Sequence, residues 1–142
     1  MEKLNFEEIV ERIAALDPRY HREAYDFLRE ALDFTQKLAA REKDERERHV
    51  TGQQLLEGVR SYALKEYGPM AQMVLAEWGI HRGEDIGELV FNLIENRILK
   101  KTASDSREDF KGSYDFEPAF REPFLPPSVL GASHIEKTAA GN

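Results

Sequence analysis

The chain has 142 residues, and its 20 Lys and Arg stand against 27 Asp and Glu, so the formal net charge is −7 at pH 7. It contains no cysteine, which excludes a disulfide framework, a cysteine-ligated zinc site, an iron–sulfur cluster and a cysteine nucleophile. The length is typical of one domain with its own hydrophobic core. The surplus of carboxylates also disfavours indiscriminate phosphate binding, because that affinity comes from Lys and Arg.

Neither a membrane segment nor a leader is expected from the sequence. There is no run of about 18 apolar residues, and Met1–Asn5 lacks the basic and apolar regions of a signal peptide. A cysteine-free composition suits a reducing compartment. We therefore expect a cytoplasmic protein without a membrane partner.

Apolar residues recur at helical spacing in five segments, so the sequence predicts a mainly α fold with about five helices. Asp17 and Pro18 are expected to cap and open the second helix. Thr51 and Gln54 form a capping box ahead of the third, and Gly79 is expected to close the fourth. The apolar stripes run from Phe6 to Leu16, Tyr20 to Ala39, Leu55 to Tyr67, Met70 to Trp78 and Ile86 to Ile94, with the fifth helix over about Glu84 to Arg97.

From Arg41 to Arg48 the chain is charged throughout, with both signs and no apolar residue. Such a run is typical of a solvated helix end whose charges pair at one-turn spacing. A flexible loop and a partner-docking arm are the alternatives.

The pattern changes after the fifth helix. Ile98–Thr102 is short, and Gly112–Phe116 alternates aromatic and polar residues, which predicts a small two-stranded β-hairpin with a long polar tip. Four of the six prolines follow Glu117. We therefore expect a single helical domain over residues 1–120 and a Pro-rich C-terminal extension over residues 121–142 that is partly flexible.

The order of elements from Pro69 to Phe116 (helix, glycine turn, helix, hairpin) is that of a winged helix-turn-helix, so the second half is expected to be winged-helix-like. In a DNA-binding version, the fifth helix would read base edges with Arg, Lys, Asn or Gln. The region Glu84–Asp115 instead holds five basic and eight acidic residues. A nucleic-acid-associated regulator is therefore the second hypothesis. It requires a contiguous basic face, for which the candidates are Arg82, Arg97, Lys100 and Lys101.

Three segments carry a family resemblance: Asp17–Lys37, His49–Ile80 and Gly87–Phe120. Their most specific motifs are WGI at the end of the second segment, and GELVFNLIE and DSREDF…YDFEPAF in the third. On these motifs the chain resembles a small uncharacterised protein family found mainly in planctomycete and verrucomicrobial bacteria, over most of residues 1–120. The resemblance implies a bacterial cytoplasmic protein, and it carries no activity and no site residue over to this chain.

The best metal-ligand candidates are His81, Glu84 and Glu88, which lie within two helical turns. Histidine with carboxylates can hold a divalent ion, so a divalent-metal-binding protein or enzyme is the third hypothesis. The chain has no HExxH motif, no phosphate loop and no Gly-x-Ser-x-Gly elbow, and carboxylates at a helix start ordinarily complement the helix dipole. We therefore assign no metal ligand, no catalytic residue and no cofactor from the sequence.

The aromatic residues favour a protein partner. Phe91 and Phe34 lie off the main stripe of their helices, which indicates either a helix buried on two sides, which we favour, or an exposed anchor. The segment Phe120–Pro127 either closes the core of its own chain or docks into a neighbouring subunit. The partner-binding candidates are Phe91, Phe120, Phe124 and Leu125. The leading hypothesis is a non-enzymatic protein-interaction module that binds another protein or a second copy of itself.

Overall fold

The computed structural model describes residues 6–42, 50–99, 106–112 and 115–126, with side chains only as far as residue 38 in the first range. This part of the chain is mainly helical, as predicted. Its α-helices are α1 (Phe6–Leu16), α2 (Arg22–Glu42), α3 (Gly52–Tyr67), α4 (Ala71–Glu77), α5 (Gly83–Glu95) and α6 (Phe116–Arg121). The described chain also has 3-10 segments at Gly68–Met70, Arg107–Phe110 and Glu122–Phe124. The charged side chains of Arg41–Arg48 and the extension from Pro127 onward lie outside the described residues.

The core is built on α2, α3 and α5, which pack against one another. α2 and α3 are in close contact at Gly58, where a Cβ atom would lie 1.7 Å from Thr35 Oγ1. Thr35 is buried, and its hydroxyl donates to the Ala31 carbonyl at 2.7 Å, so its polar group is satisfied within α2. The two helices can meet here only because residue 58 has no side chain.

A cluster of aromatic rings fills the space between α2, α3 and the end of α4. Phe27 lies at its centre and is buried. Its ring centroid lies 5.7 Å from that of Tyr62, 6.2 Å from Tyr67 and 5.6 Å from Trp78, which are distances at which tilted rings attract. The Tyr62 hydroxyl donates to Glu30 Oε2 at 3.1 Å, and burial together with this carboxylate raises the pKa of Tyr62 to about 12.

The turn between α4 and α5 depends on Gly79. Its φ is +91°, a left-handed value that favours glycine. The amides of Gly79 and Ile80 donate to the Ala76 and Leu75 carbonyls at 3.0 and 2.9 Å, which is the Schellman ending. A Cβ atom at Gly79 would lie 2.1 Å from the Arg19 carbonyl oxygen. The prediction that Gly79 closes the fourth helix is confirmed.

After α5 the chain turns instead of entering a strand. Arg97 has a φ of +61°, and the Ile98 amide donates back to the Leu93 carbonyl at 2.9 Å. Helix capping therefore uses an amide that the predicted strand Ile98–Thr102 needed for pairing. That strand is wrong at Ile98 and Leu99, and residues 100–105 lie outside the described part.

The second predicted strand, Gly112–Phe116, is also wrong, because Phe116 begins α6. Phe116 and Phe120 lie one helical turn apart, with ring centroids at 5.1 Å in an edge-on arrangement, and both are buried. Pro118 lies in the first turn of α6, where its missing amide costs no helical hydrogen bond. Residues 113 and 114 are not described. Elsewhere in the described part there is no strand, so the β-hairpin that would have made the second half winged-helix-like is not found.

The predicted polar tip is the 3-10 segment that follows α5. Ser106 caps it, and its amide donates to Asp109 Oδ2 at 3.0 Å. Phe110 at its end is buried between α3 and α5. Gly52 and Gly87 lie against the ring, and a Cβ atom at either would come within about 3 Å of Phe110 or of Asp109. One buried phenyl ring therefore docks the segment on two helices.

α2 begins at Arg22 and not at Pro18. The Asp17 carboxylate does not cap the helix, because it accepts the Arg19 guanidinium instead, at 2.8 Å from Nε and 2.7 Å from Nη2. Residues 18–20 form a turn between α1 and α2. The prediction of Asp17 as the cap of the second helix is therefore wrong, and its carboxylate instead organises the turn.

Candidate functional site

An apolar groove of about 490 Å³ lies between α4 and the C-terminal elements of the described chain. α6 packs against α4, and the 3-10 segment Glu122–Phe124 continues α6. The residues of the first wall are Pro69, Gln72, Met73 and Ala76, and those of the second are Phe120, Arg121, Phe124 and Leu125. A volume of this size lies within the range of about 300–1,000 Å³ found for ligand-binding clefts.

The first wall is one face of a helix. Its four residues are spaced i, i+3, i+4 and i+7, the spacing that places side chains on a single stripe. Ala71 and Leu75 lie on the other side of α4 and are buried in the core. α4 therefore has two apolar faces, one packed against the core and one open to the groove.

Large apolar side chains are exposed at this groove. Met73 is 53% exposed and Phe124 is 44% exposed on the groove walls, and Met70, which precedes α4 and is not part of the lining, is 51% exposed. These are three of the five large apolar side chains that are exposed among the described residues. Such side chains are usually buried, and an exposed apolar patch marks a surface that binds something.

Three of the four predicted partner-binding residues line this groove. Phe120 is buried and closes the core of its own chain, which is the first of the two alternatives for its segment. Phe124 is exposed and Leu125 is half-buried, so both present apolar surface to the groove. Phe91 lies elsewhere: it is buried on α5, and the Arg107 guanidinium carbon is 4.7 Å from its ring centroid.

The metal-ligand candidates His81, Glu84 and Glu88 are not brought together as a site. His81 is exposed, and its backbone amide donates to Asp85 Oδ2 at 2.9 Å. Glu88 lies 3.5 Å from Arg19 Nη2 and 3.7 Å from Arg107 Nε. Within the ranges that the structure describes, no group of three or more His, Asp or Glu side chains is placed to hold a metal ion.

The open face of α5 is mostly acidic, because the polar residues of this helix that are not buried are Glu84, Glu88, Asn92 and Glu95. Eight of its residues are buried: Gly83, Asp85, Ile86, Gly87, Leu89, Val90, Phe91 and Leu93. Arg82 and Arg97 lie at its two ends, about 20 Å apart at the helical rise, while Lys100 and Lys101 are outside the described residues. The predicted hairpin is not found among the described residues, whereas the contiguous basic face that the nucleic-acid hypothesis requires stays a prediction, because two of its four candidate residues are not described.

The apolar pattern of the sequence does not predict the role of Asp85, a buried carboxylate at the start of α5. Its Oδ1 accepts the Tyr20 hydroxyl at 2.7 Å and its Oδ2 accepts the His81 amide. Burial, together with this hydrogen bond, raises the pKa of Tyr20. Asp85 is the third residue of α5, a position where an acidic side chain commonly accepts a hydrogen bond from an amide that precedes the helix. This position in the helix is the sequence signal from which its role could be predicted.

A second polar contact joins the α1–α2 turn to α5. Asn92 Nδ2 donates to Asp17 Oδ2 at 3.0 Å and to the Tyr25 hydroxyl at 2.9 Å. The hydrogen bonds from Arg19, with a further one from Asn92, lower the pKa of Asp17 to about 2, although burial acts in the opposite direction. The polar groups satisfy one another, so this network holds the turn in place and offers no open site.

No protein-family model, curated protein or solved structure matches the chain. None of the helices in the described ranges is both long enough and apolar enough to cross a membrane. The groove between α4 and α6 is the candidate functional site of the described chain.

Proposed function

We propose that this protein is a protein-interaction module that binds an apolar segment of a partner protein in the groove between α4 and α6. The observation that carries the proposal is the exposure of Met73 and Phe124 on the two walls of one groove. Burying a side chain of this size stabilises a complex by about 1.5–3 kcal/mol. Methionine also adapts its shape to an irregular partner surface.

The lining of the groove suits binding better than bond-breaking chemistry. Its polar side chains are Gln72 and Arg121, and Arg121 Nη1 already lies 2.9 Å from Glu117 Oε1. Catalytic clefts instead converge several titratable groups on one point. The proposal is therefore a non-enzymatic one.

The proposal includes the setting of the protein. We place it in the bacterial cytoplasm and in the planctomycete and verrucomicrobial family that its motifs resemble. The cysteine-free composition supports the compartment. The motifs that carry this resemblance contain Phe110, Phe116 and Phe120. All three are buried, so packing in the core explains why these positions are aromatic.

The test replaces Met73 with a photo-crosslinking amino acid in cells of the source organism. A parallel strain carries the same group at Leu16, which is 81% exposed on α1 and does not line the groove. Irradiation is expected to give an adduct of defined mass from position 73 and not from position 16. The partner is then identified, purified and titrated against the protein by calorimetry.

Met73→Gln is expected to weaken binding in the purified complex at least about tenfold, because it places a polar group at an anchor that the partner would bury. Leu16→Gln removes an equally apolar side chain elsewhere and is expected to leave the affinity unchanged. Circular dichroism checks that both variants keep the helical fold. The proposal is wrong if both positions give the same adducts, or if Met73→Gln binds the purified partner as tightly as the wild type.

A further inference from the structure

The two walls of the groove carry more negative than positive charge. The charged side chains of the two wall elements, from Gly68 to Glu77 and from Phe116 to Pro126, are Glu77, Glu117, Arg121 and Glu122. Three carboxylates against one guanidinium leave a charge of −2. Arg121 and Glu117 neutralise each other, while Glu77 and Glu122 form no ion pair within the described part of the chain.

These two carboxylates belong to the elements of opposite walls and flank the lining, since Glu77 directly follows Ala76 and Glu122 directly follows Arg121. Glu77 is four residues after Met73, so it lies one turn further along the same open face of α4. Glu122 precedes Phe124 in the 3-10 segment of the other wall. Both are exposed. The lining is therefore mostly apolar, its one charged side chain is already paired with Glu117, and the carboxylates next to the lining on each wall have no such partner in the described chain.

The shape of the groove favours a helical occupant. Its walls are helical elements that lie side by side, and the described chain has no strand whose edge could add another, so a helix in a groove is the matching recognition mode. The wall from Pro69 to Ala76 is about 12 Å long at the helical rise, which is room for about two turns. Two turns place two apolar anchors of the occupant one turn apart.

Gln72 adds a polar contact to this apolar lining. Its side chain is half-buried at the groove and makes no hydrogen bond to another described residue. An amide can donate and accept at the same time. It is therefore able to bond to a polar side chain or an uncapped backbone group of the occupant.

We infer that the groove takes a short amphipathic helix of a partner protein, with two apolar anchors one turn apart and Lys or Arg on its flanks. This inference rests on the proposed function and adds the chemistry of the partner. The apolar anchors account for the exposed lining, and the basic flanks complement Glu77 and Glu122. A second copy of this chain carries a net charge of −7 and is therefore the less favoured occupant.

The test uses three fluorescein-labelled model peptides and the full-length protein. The first is an amphipathic helix with two leucines one turn apart and a lysine-rich polar face. The second has glutamates in place of the lysines, and the third has serines in place of the leucines. Fluorescence anisotropy is expected to show that the lysine peptide binds at least about tenfold more tightly than the glutamate peptide at low salt, with the ratio shrinking as salt screens the charges. The serine peptide is expected not to bind.

Matched variants distinguish the effect of the carboxylates beside the groove from a general attraction between the lysine peptide and the acidic protein. Replacing Glu77 and Glu122 with Gln is expected to remove most of the preference for lysine over glutamate. Replacing Glu7 and Glu23 with Gln changes the net charge equally on α1 and α2, away from the groove, and is expected to leave the preference intact. Met73→Gln is expected to weaken binding of the lysine peptide, and Leu16→Gln is not.

Each contrary outcome has a distinct meaning. Equal binding of the lysine and glutamate peptides, with both weakened by Met73→Gln, overturns the basic partner and leaves the groove as a docking site. The basic partner is also overturned if the Glu7 and Glu23 substitutions reduce the preference for the lysine peptide as much as the Glu77 and Glu122 substitutions do. If no peptide binds, the inference is wrong. If crosslinking at position 73 also gives no specific adduct, the proposed function is wrong with it.

Discussion

The Tyr20 hydroxyl donates a hydrogen bond of 2.7 Å to Asp85 Oδ1, and the other oxygen of that carboxylate accepts the His81 amide. Tyr20 and Asp85 are 65 residues apart in the sequence, so a single side chain fastens the turn before α2 to the start of α5. Both side chains are buried. Burial makes the contact important, because a buried polar group without a partner is costly.

Asp85→Ala is expected to lower the free energy of unfolding by about 2–4 kcal/mol, because it leaves the Tyr20 hydroxyl and the His81 amide without their acceptor. Urea denaturation measures the loss. His81→Ala is the control: its ring is exposed and the bond uses its backbone, so the change should stay within about 0.5 kcal/mol. A loss below about 1 kcal/mol for Asp85→Ala would contradict a supporting role for this carboxylate.

Gly58→Ala is expected to destabilise the protein by about 1–3 kcal/mol through overpacking, even though Ala favours a helix more than Gly does. The new Cβ would lie 1.7 Å from Thr35 Oγ1, so α2 and α3 must separate. Adding Thr35→Ala removes the hydroxyl and should restore part of the lost stability. Thermal denaturation of the single and double variants decides the matter, and no rescue by the second change would point to a different cause.

Gly79 and Arg97, two of the residues with a left-handed φ, give a pair of opposite predictions. Gly79→Ala is expected to cost about 2–4 kcal/mol, because it combines an unfavourable φ with a clash against the Arg19 carbonyl. Arg97→Gly is expected to stabilise the fold by about 0.5 kcal/mol, because relief of the left-handed strain exceeds the added freedom of the unfolded chain. Calorimetric melting temperatures should therefore move in opposite directions. Movement of both in one direction would show that φ does not control these helix ends.

Asp17 is expected to make the free energy of unfolding depend on pH in the acid range. Its pKa in the fold is about 2, below the ordinary value of 3.8, so the charged carboxylate stabilises the fold above pH 3.8 and that contribution is lost as the pH falls toward 2. Asp17→Asn should cost on the order of 1–2 kcal/mol near neutral pH, after allowance for solvent screening, and almost nothing at about pH 2.

The acid test compares urea denaturation of the wild type and Asp17→Asn across this pH window. Asp33→Asn is the matched control, because Asp33 pairs with Lys37 on an exposed stretch of α2, where such pairs contribute little. A difference between the wild type and Asp17→Asn that stays constant from neutral pH to about pH 2 would be inconsistent with the lowered pKa.

Local signals in the sequence predicted most of the helical framework. The capping box of Thr51 and Gln54 is formed, with hydrogen bonds of 2.9 and 3.1 Å, because such a cap needs only four neighbouring residues. The hairpin failed because two periodicities overlap at Phe116. The residues before it alternate like a strand, whereas Phe116 and Phe120 lie at helical spacing, and burial of both rings decides for the helix.

The site was predictable on one wall only. Phe124 and Leu125 were candidates because apolar residues among prolines suggest a docking segment, and both line the groove. Met73 belongs to the predicted apolar stripe from Met70 to Trp78, yet it is exposed. A helix that is apolar on two faces does not reveal which face the core covers. The core covers the face of α4 that carries Ala71 and Leu75. The other face becomes the wall of a groove because α6 packs against α4.

The position of the single tryptophan has a practical consequence. Trp78 is the only residue of its type in the chain, and its ring lies 5.6 Å from Phe27 of α2 and 5.9 Å from Tyr67 of α3. Its emission therefore reports whether α2, α3 and the end of α4 remain packed. Phe116 and Phe120 form a separate ring pair on α6, with 5.1 Å between their centroids. Tryptophan fluorescence, compared with helix loss by circular dichroism, should distinguish detachment of the C-terminal elements from unfolding of the whole domain.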